Sequence, residues 1–458
     1  MRMTGNTAMQ ELFDASGAAE LIAAGDTFSA TALHHGANDW SRALRRAGIA
    51  RGDRVVCALP NGPAFIQLLV ACLADGVTLA PVPTTEDVVP LLEALDARVA
   101  IAESSVHAHV AVPSRNGGPP SGPLVARAAA ARSDAVAFLL RSSGTAGTPR
   151  WIALSEGGVL ATLESHLPRL AVDGASVLCV LPWFHAFGLV LGLLPALLRA
   201  RRIVTAGEAL REHQDLIALA DSYAISNLSM VPLMAMRLAS RPDGLTLLQS
   251  LAGGLVGGAP IDTALAATLT STRLRVGYGQ TEAGPGIMLG EPGEFHGAFL
   301  GRPVGCSVRI DDDGVLAFRG ASACTGVWQD GALQSLDSER WQRTDDLVSL
   351  DRGAYTFLGR LSMTFKLANG KLVHAPQLEA RIRQLIPRIA EIVLASADGI
   401  GIDARYSTHD TEPVDEQEIR RALGSLQMYL RSTTCVATET WPRTAKGEID
   451  RLQFARLT

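Results

Sequence analysis

Several features are missing from this 458-residue sequence, and their absence excludes particular classes of protein. There is no dense run of lysine and arginine, and 41 basic against 46 acidic residues give a net charge of −5. This balance argues against nucleic acid as the main partner. The most apolar stretch, residues 177–198, is interrupted by Pro182, His185 and Pro195. It therefore predicts a buried strand and helix, not a membrane span.

Paired cysteines are also missing. The six cysteines are widely scattered and form no C-x-x-C motif, so we expect buried or free thiols in a reducing compartment. Residues 1–17 contain no long apolar segment of the kind found in signal peptides. With 47% hydrophobic and 19% charged residues, the composition is typical of a globular enzyme. Together these observations predict a cytoplasmic protein with neither a membrane nor a nucleic-acid partner.

A loop of small residues follows an apolar run. Residues 135–140 (AVAFLL) predict a buried strand, and residues 141–151 (RSSGTAGTPRW) predict a tight loop after it. Small residues let the backbone approach a ligand closely, and the N–H and hydroxyl groups of such a loop suit phosphate oxygens. The loop lacks the Gly-Lys-Ser/Thr ending of a Walker motif, and an ordinary exposed turn is the alternative. The candidate phosphate ligands are Ser142, Ser143, Gly144, Thr145 and Gly147.

Four further segments follow in order along most of the chain. They are Phe184-His185 within PWFHAFG, Tyr278-Gly279-Gln280-Thr281-Glu282, Thr344-Asp345-Asp346, and Gly359-Arg360 with Lys366. Taken singly, Tyr278 would be interpreted as a core aromatic residue and Asp346 as a turn residue. Their joint order resembles that of the adenylate-forming superfamily, which contains acyl-CoA synthetases, adenylation domains and luciferases.

The resemblance implies a role for each segment. Tyr278 would stack on adenine, Thr281 would contact the α-phosphate, and Glu282 would bind Mg²⁺. Asp346 would hold the ribose hydroxyls, with help from Arg360. The remaining residues implied in nucleotide binding are Gly258, Ala259, Pro260, Gly279, Gln280 and Lys366. The implied cofactors are ATP and Mg²⁺, with CoA or phosphopantetheine as the acceptor, and the implied catalytic residues of this part of the chain are Thr145, His185 and Glu282.

His185 has two interpretations. A histidine in an apolar run is more often a satisfied core residue than a catalyst. In the superfamily, however, the Phe-His pair lines the acyl pocket and controls access between the nucleotide and the thiol. Residues 184–187 (FHAF) offer no carboxylate that would hold a substrate ammonium group. The resemblance therefore favours an aryl or aliphatic acid over an amino acid as substrate.

Strand and helix patterns alternate along the first part of the chain. Residues 54–59 predict a strand, residues 64–74 a helix and residues 77–82 a second strand, which together form a βαβ unit of a parallel sheet. Residues 301–360 predict a small β-rich subdomain, after which the pattern becomes α+β. We therefore expect an α/β fold. The resemblance implies that residues 1–360 form a large N-terminal domain of Rossmann-like parallel sheets with the β-rich subdomain, and that residues 361–458 form a smaller, mobile α+β domain.

Three departures from the superfamily pattern lie before the predicted domain boundary or close to it. Arg150-Trp151 stands where the phosphate loop usually has Lys-Gly, so the charge is kept and a bulky ring is added. Asp345 stands in place of the glycine of the Thr-Gly-Asp motif and adds a carboxylate. Met363 occupies the position of the hinge, which is commonly aspartate or lysine.

The largest departure is near the C-terminus. Glu448 stands where relatives have a lysine that bridges the substrate carboxylate and the α-phosphate. A reversed charge beside two anions should slow adenylation. Lys446 is a second candidate for the missing charge, although a solvated loop lysine is the simpler interpretation.

Three functional hypotheses follow. The first is an AMP-forming acid–thiol ligase, which converts a small carboxylic acid and ATP to acyl-AMP and transfers the acyl group to CoA or to the phosphopantetheine of an acyl carrier protein. The second keeps the acyl-adenylate and uses a different nucleophile, such as an amine. The third is a degenerate nucleotide-binding homologue, which Glu448 would favour. The intact Tyr-Gly-Gln-Thr-Glu segment and the phosphate loop favour the first two.

Overall fold

The computed structural model describes residues 19–104, 109–111, 113, 117–119, 124, 136–142, 150–205, 213–368, 372–396, 400–410, 412–436 and 441. The strands in the first part of the chain are β1 (Glu20–Ala23), β2 (Asp26–Phe28), β3 (Arg54–Ala58), β4 (Thr78–Pro81), β5 (Val99–Ala102), β6 (Val110–Ala111), β7 (Val136–Ser142) and β8 (Arg150–Ser155). Those of the middle part are β9 (Ser176–Leu178), β10 (Arg202–Thr205), β11 (Asn227–Leu228), β12 (Leu255–Gly257), β13 (Arg275–Tyr278) and β14 (Met288–Leu289).

Strands dominate the following segment. They are β15 (Phe299–Pro303), β16 (Ser307–Ile310), β17 (Val315–Arg319), β18 (Gly326–Gln329), β19 (Ala332–Ser335), β20 (Gln342–Asp351) and β21 (Ala354–Arg360). The strands after residue 361 are β22 (Thr364–Lys366), β23 (Leu372–His374), β24 (Ile389–Ala395), β25 (Ile402–Thr408) and β26 (Leu430–Cys435).

The α-helices of the described residues lie mainly between the strands of the first 270 residues. They are α1 (Ala30–Arg46), α2 (Pro63–Asp75), α3 (Val89–Ala94), α4 (Glu156–His166), α5 (Leu194–Arg199), α6 (His213–Ser222), α7 (Pro232–Ala239), α8 (Pro242–Ser250), α9 (Thr263–Leu269), α10 (Ala375–Leu385) and α11 (Glu416–Leu423). A π-helix, Phe187–Leu193, precedes α5. Short 3₁₀ turns include Thr281–Ala283 and Leu361–Met363.

The predicted βαβ unit is confirmed. Strand β3 pairs in parallel with β4, and α2 connects them. Residue Pro63 begins α2, where its missing N–H costs no hydrogen bond, and Gly76 ends the helix in the left-handed conformation. The strand order of this eight-stranded sheet is β19-β18-β8-β7-β4-β3-β5-β6, and a five-stranded sheet has the order β11-β9-β10-β1-β2. The α/β fold class predicted from the sequence is therefore confirmed.

A second eight-stranded sheet positions the candidate site. Its order is β12-β13-β14-β15-β21-β20-β17-β16, so it joins the parallel pair β12–β13 to the antiparallel strands of residues 299–360. In this way the strand that ends at Tyr278 and the strands that carry Asp346 and Arg360 belong to one sheet. The β-rich character expected for residues 301–360 is borne out by this arrangement.

The residues after Leu361 have a hydrophobic core of their own. Its buried members run from Leu367 to Leu430, and they pack between the sheet β24-β25-β26 and the helices α10 and α11. The larger core, around Trp40, Phe65 and Trp183, lies among the sheets and helices of the first part. A domain boundary at residue 361 agrees with this separation of cores and stays a prediction.

Candidate functional site

Tyr278 and Asp346 meet at the end of β13. The Tyr278 hydroxyl donates a hydrogen bond of 2.7 Å to Oδ2 of Asp346, across 68 residues of sequence. The backbone N–H of Asp346 donates to Oγ1 of Thr344, and the Thr344 hydroxyl donates to the carbonyl of Leu316. Thr344 thus ties the Asp346 backbone to the neighbouring strand β17, and the Asp346 side chain is held by Tyr278.

Burial is the largest influence on the pKa values of Asp346 and Tyr278, and it raises both. Asp346 is only 8% exposed, and burial raises the pKa of its carboxyl group, while the hydrogen bond from Tyr278 and the charge of Arg360 lower it. Burial, together with the Asp346 charge, raises the pKa of the Tyr278 phenol well above its ordinary value. The phenol therefore stays a hydrogen-bond donor over the physiological range.

Arg360 is the third member of this group. Its Nε lies 3.3 Å from Oδ1 of Asp346, and the two residues are directly paired across β20 and β21. Both oxygens of Asp346 therefore have a partner. The grouping of Tyr278, Asp346 and Arg360 brings together three residues that the sequence predicted as parts of one nucleotide site, although they lie in separate segments.

Glu282 lies in the 3₁₀ turn that follows β13. Its Oε1 accepts a hydrogen bond of 2.9 Å from Arg150, the first residue of β8. The backbone carbonyl of Glu282 also accepts from the N–H of Cys324, which anchors the turn. The turn packs against β7 and β8, the strands that flank the predicted phosphate loop. A contact between Arg150 and Glu282 gave no signal in the sequence, because 132 residues separate them.

The two ends of the predicted phosphate loop are neighbours in the sheet. Ser142 ends β7 and pairs directly with Arg150 at the start of β8. Ser142 is 7% exposed, and its hydroxyl has no hydrogen-bond partner among the described residues. A buried hydroxyl without a partner is costly, so this atom is a candidate ligand for a bound oxyanion. The loop itself, residues 143–149, lies outside the described residues.

Trp151 does not intrude on the site, although relatives have glycine there. Alternate residues of a strand point to opposite faces of a sheet, so Trp151 and Arg150 diverge. The Trp151 ring packs on the cluster that contains Trp328, and the guanidinium carbon of Arg141 lies 4.9 Å from its centroid. Arg141 in turn pairs with Glu86 at 2.8 Å. The bulky ring is therefore accommodated on the face away from Glu282.

Close packing fixes the segment between Tyr278 and the next strand. A Cβ at Gly279 would lie 1.6 Å from the carbonyl oxygen of Pro285, so no other residue fits. The Gly284–Pro285 peptide bond is cis. A Cβ at Gly286 would lie 2.2 Å from Nε2 of His166, which places this histidine directly behind the segment.

His166 is a supporting residue that sequence reasoning missed. It is 1% exposed, and its Nδ1 lies 3.0 Å from the carbonyl oxygen of Thr162, which can only accept a hydrogen bond. Nδ1 also lies 2.9 Å from Oγ of Ser165, whose hydroxyl donates to the carbonyl of Ala161. We infer that Nδ1 carries the proton, so that Nε2 faces Gly286 without one. Burial lowers the pKa of His166 to about 4. His166 is therefore neutral at physiological pH and packs against Gly286. A single histidine in a helix gave no signal of this role in the sequence.

The Phe184-His185 segment, which is predicted to line the acyl pocket, lies just before the π-helix. The rings of Phe184 and His185 are 4.5 Å apart and tilted, and both side chains are half-buried just before the π-helix. Gly258 follows β12 with a φ of +85°, and a Cβ there would find Phe187 and Val231 at 3.9 and 3.8 Å. π-helical turns are often found at functional sites. Phe187 thus connects the Phe-His segment with the predicted Gly258-Ala259-Pro260 turn, whose residues are exposed.

The remaining predicted residues divide into two groups. Gln280 and Thr281 lie beside Glu282 and are half-buried, and Lys366 belongs by its backbone to β22. Ser143, Gly144, Thr145, Gly147, Lys446 and Glu448 lie outside the described residues. The structure therefore leaves the assignments in the phosphate loop and in the C-terminal loop as predictions.

Two further expectations concern the whole chain. All six cysteines are free, and burial raises the pKa values of Cys57 and Cys179 to about 12, which makes them unreactive. None of the helices described here combines the length and the apolar character that a membrane crossing requires. Within the same residues no three His, Cys, Asp or Glu side chains come close enough together to hold a metal ion alone.

Comparison with known proteins defines the family. The family model for the AMP-binding enzyme matches residues 13–326, which is more than half of the chain. The chain therefore belongs to the AMP-binding enzyme family. The membership of the adenylate-forming superfamily predicted from the five sequence segments is thereby confirmed.

Curated relatives carry ligase names. The chain is 25% identical over 408 residues to the feruloyl-CoA synthase of an Amycolatopsis species, covering 79% of this chain and 82% of that protein. It is 27% identical over 418 residues to the anthranilate–CoA ligase of Pseudomonas aeruginosa, covering 80% and 78%. These names agree with the predicted class of AMP-forming acid–thiol ligases.

Solved structures share the fold over almost the whole chain. The o-succinylbenzoate CoA synthetase of Bacillus subtilis, in complex with its acyl-adenylate intermediate, matches with a TM-score of 0.81 and 19% identity, covering 99% of this chain and 98% of that one. The same enzyme in complex with ATP and magnesium gives a TM-score of 0.80, with 98% of each chain covered. At this level of identity the likeness establishes the fold.

Proposed function

We propose that this protein activates a small carboxylic acid with ATP and transfers the acyl group to the thiol of CoA. The observation that supports this most directly is the grouping of Tyr278, Asp346 and Arg360 on the sheet that also leads to Glu282. The ligase names of the curated relatives support the same class of reaction. An acyl carrier protein remains a second candidate as the source of the thiol.

The side chains present fit ATP and Mg²⁺. The buried carboxylate of Asp346 is an acceptor for ribose hydroxyls, and the partnerless Ser142 hydroxyl lies at the start of the predicted phosphate loop. Mg²⁺ is usually held by one or two carboxylates together with substrate phosphates, which is what a single glutamate at position 282 offers. When bound, the metal would add positive charge where the phosphates carry negative charge.

The proposed reaction has two steps. First an oxygen of the substrate carboxylate attacks the α-phosphorus, the bond to the β-phosphate oxygen breaks, and pyrophosphate leaves. Then a thiolate attacks the acyl carbon, the thioester forms and AMP leaves. The contribution of this chain is to position the two anions and to neutralise their charge. Arg150 contacts Glu282 and Arg360 contacts Asp346, so both place positive charge beside predicted nucleotide contacts.

The proposed substrate is an aryl or aliphatic acid without an α-ammonium group. Phe184, His185 and Phe187 provide aromatic surface on the acyl side, and the segment has no carboxylate to pair with an ammonium group. The names feruloyl-CoA synthase and anthranilate–CoA ligase, both for aryl acids, support this proposal. Replacement of His185 by Ala should change acid selectivity more than ATP affinity.

The C-terminal loop modifies the proposal. Glu448 cannot supply the charge that a lysine gives in relatives, so we expect slow adenylation. Glu448→Lys should then raise the single-turnover rate of acyl-AMP formation, whereas Lys446→Ala should have little effect. A loss of about two to four orders of magnitude in Lys446→Ala would instead identify that lysine as the catalytic cation.

Pyrophosphate release with a panel of acids tests the proposal. Aryl and aliphatic acids should support turnover better than the standard amino acids, and mass spectrometry should detect the CoA thioester. Glu282→Ala should abolish turnover, and Asp351→Asn, at the far end of β20, is the matched control. A preference for an α-amino acid would contradict the substrate class, and nucleotide binding without pyrophosphate release would support the degenerate homologue.

A further inference from the structure

The two adjacent carboxylates of β20 act on different parts of the molecule. Asp346 faces Tyr278 and Arg360 in the candidate site, as described above. Asp345 points to the opposite face of the strand, as alternate residues do. Its Oδ1 accepts a 3.0 Å hydrogen bond from the backbone N–H of Ser362, and its Oδ2 accepts one from the Ser362 hydroxyl. Both oxygens of Asp345 are thus used on one residue.

Ser362 lies where the two parts of the chain join. It is the middle residue of the 3₁₀ turn Leu361–Met363, between the end of β21 at Arg360 and the start of β22 at Thr364. The turn is closed by a 2.7 Å hydrogen bond from the Thr364 hydroxyl to the carbonyl of Leu361. The separate hydrophobic core of the C-terminal part begins only five residues later, at Leu367.

We propose that Asp345 is a positioning residue, which clamps this turn and thereby biases the direction in which the C-terminal part leaves the sheet. Two hydrogen bonds that one residue donates to the two oxygens of a carboxylate define an orientation, whereas a single bond would allow rotation about it. Asp346 forms an ion pair with Arg360, and Asp345 accepts hydrogen bonds from Ser362. The two neighbouring carboxylates therefore contact the residues on either side of Leu361.

The clamp is weak enough to open. Ser362 is exposed, and hydrogen bonds to an exposed charged group contribute modestly, since water competes for both partners. The bonds therefore bias the orientation of the C-terminal part and do not lock it. This bias bears on chemistry, because the sequence positions of the candidate residues Lys446 and Glu448 belong to that part of the chain.

Hydrogen–deuterium exchange of the free protein tests the clamp. In Asp345→Ala, the amides of residues 361–366 should exchange about 5- to 30-fold faster than in the wild type, because the Ser362 N–H loses its acceptor. Ser362→Ala removes the hydroxyl and keeps the N–H bond, so its effect should be smaller and in the same direction. The double variant should exchange no faster than Asp345→Ala alone.

Asp351→Asn is the matched control. Asp351 is an exposed carboxylate on the same strand, opposite Ala354, and its replacement should leave exchange at residues 361–366 unchanged. Peptides from the core around Ile392 and Tyr406 report global unfolding and should be unaffected in every variant. Equal exchange in Asp345→Ala and in the wild type would overturn the proposal, as would faster exchange throughout both cores. No substrate is present, so the result is independent of the proposed ligase activity.

Discussion

Asp346 and Glu282 each hold an arginine, but their surroundings differ. Both oxygens of Asp346 are engaged, one by Tyr278 and one by Arg360, and its backbone N–H is bonded to Thr344. Among the described residues, the Glu282 side chain has one polar contact, the ion pair with Arg150, whose side chain is 53% exposed. The Asp346 side of the site is thus assembled in advance, whereas Glu282, the proposed ligand of Mg²⁺, is held by that single side-chain contact. The predictions below test this difference.

The largest effect is expected for Asp346→Ala. The substitution leaves the buried Tyr278 hydroxyl without its acceptor and removes the counter-charge of Arg360, so we expect a loss of about 2–3 kcal/mol in the free energy of unfolding. Chemical denaturation measures it. Glu282→Ala is the comparison variant and should cost less than about 1 kcal/mol, because its partner is exposed. Equal losses in the two variants would remove the proposed distinction.

Acid should destabilise the folded protein through His166, which packs behind the segment that contains Glu282 and Gly286. His166 has a pKa of about 4 in the folded protein, below the ordinary value of 6.5. The unfolded chain therefore binds the proton more readily, and stability falls as the pH drops from above 6.5 toward 4. Between about pH 7 and pH 5 this linkage amounts to roughly 2 kcal/mol.

His166→Gln should lack this component of the pH dependence, although it will be less stable at neutral pH. Denaturation curves of both proteins at several pH values measure the difference between them. Parallel pH profiles for wild type and variant would show that His166 does not titrate as described.

Tyr278→Phe isolates one contact of the Asp346 group. The ring stays in its half-buried place, and the hydroxyl that donates to Asp346 is lost. Because Arg360 still contacts the carboxylate, we expect a loss of about 1 kcal/mol in the free energy of unfolding. The same denaturation assay applies, and a double-mutant cycle with Asp346→Ala should give a clear coupling energy. Strict additivity would mean that the bond contributes nothing to the folded state.

The smallest effect is expected for Arg150→Gln. Exposed ion pairs contribute little, so the free energy of unfolding should change by less than about 0.5 kcal/mol, and added salt should reduce even that. Arg360→Gln should cost more, about 1 kcal/mol, because it contacts a buried carboxylate. If Arg150→Gln proved the more damaging of the two, the Glu282 side would be as firmly fixed as the Asp346 side.

Local patterns in the sequence predicted much of the fold. The βαβ unit around α2 follows from apolar runs between turn residues, and it is found. The buried helix predicted within residues 177–198 is a π-helix followed by α5. Apolar periodicity over a few turns does not separate the two helix types, because the close approach of Gly188 to the Pro182 carbonyl depends on a backbone path that the apolar pattern does not encode.

The sequence predicted those site residues that belong to recognisable segments. It did not predict the contacts that join one segment to another. Tyr278, Asp346 and Arg360 were identified because their segments resemble those of a known superfamily. The contact of Arg150 with Glu282, the packing of His166 behind Gly286 and the bonds of Asp345 to Ser362 depend on strand register and packing. No local spacing encodes them, so they became visible only in three dimensions.

The stacking of Arg141 on Trp151 gives the protein a built-in optical reporter. The indole is covalently next to Arg150, whose partner is Glu282, while its ring lies under the Arg141 guanidinium on the other face of the sheet. A change at the phosphate-loop end of β8 would alter the charge environment of this ring and shift its emission. Subtracting the spectrum of a Trp151→Phe variant would isolate that signal from the other five tryptophans, without any attached dye.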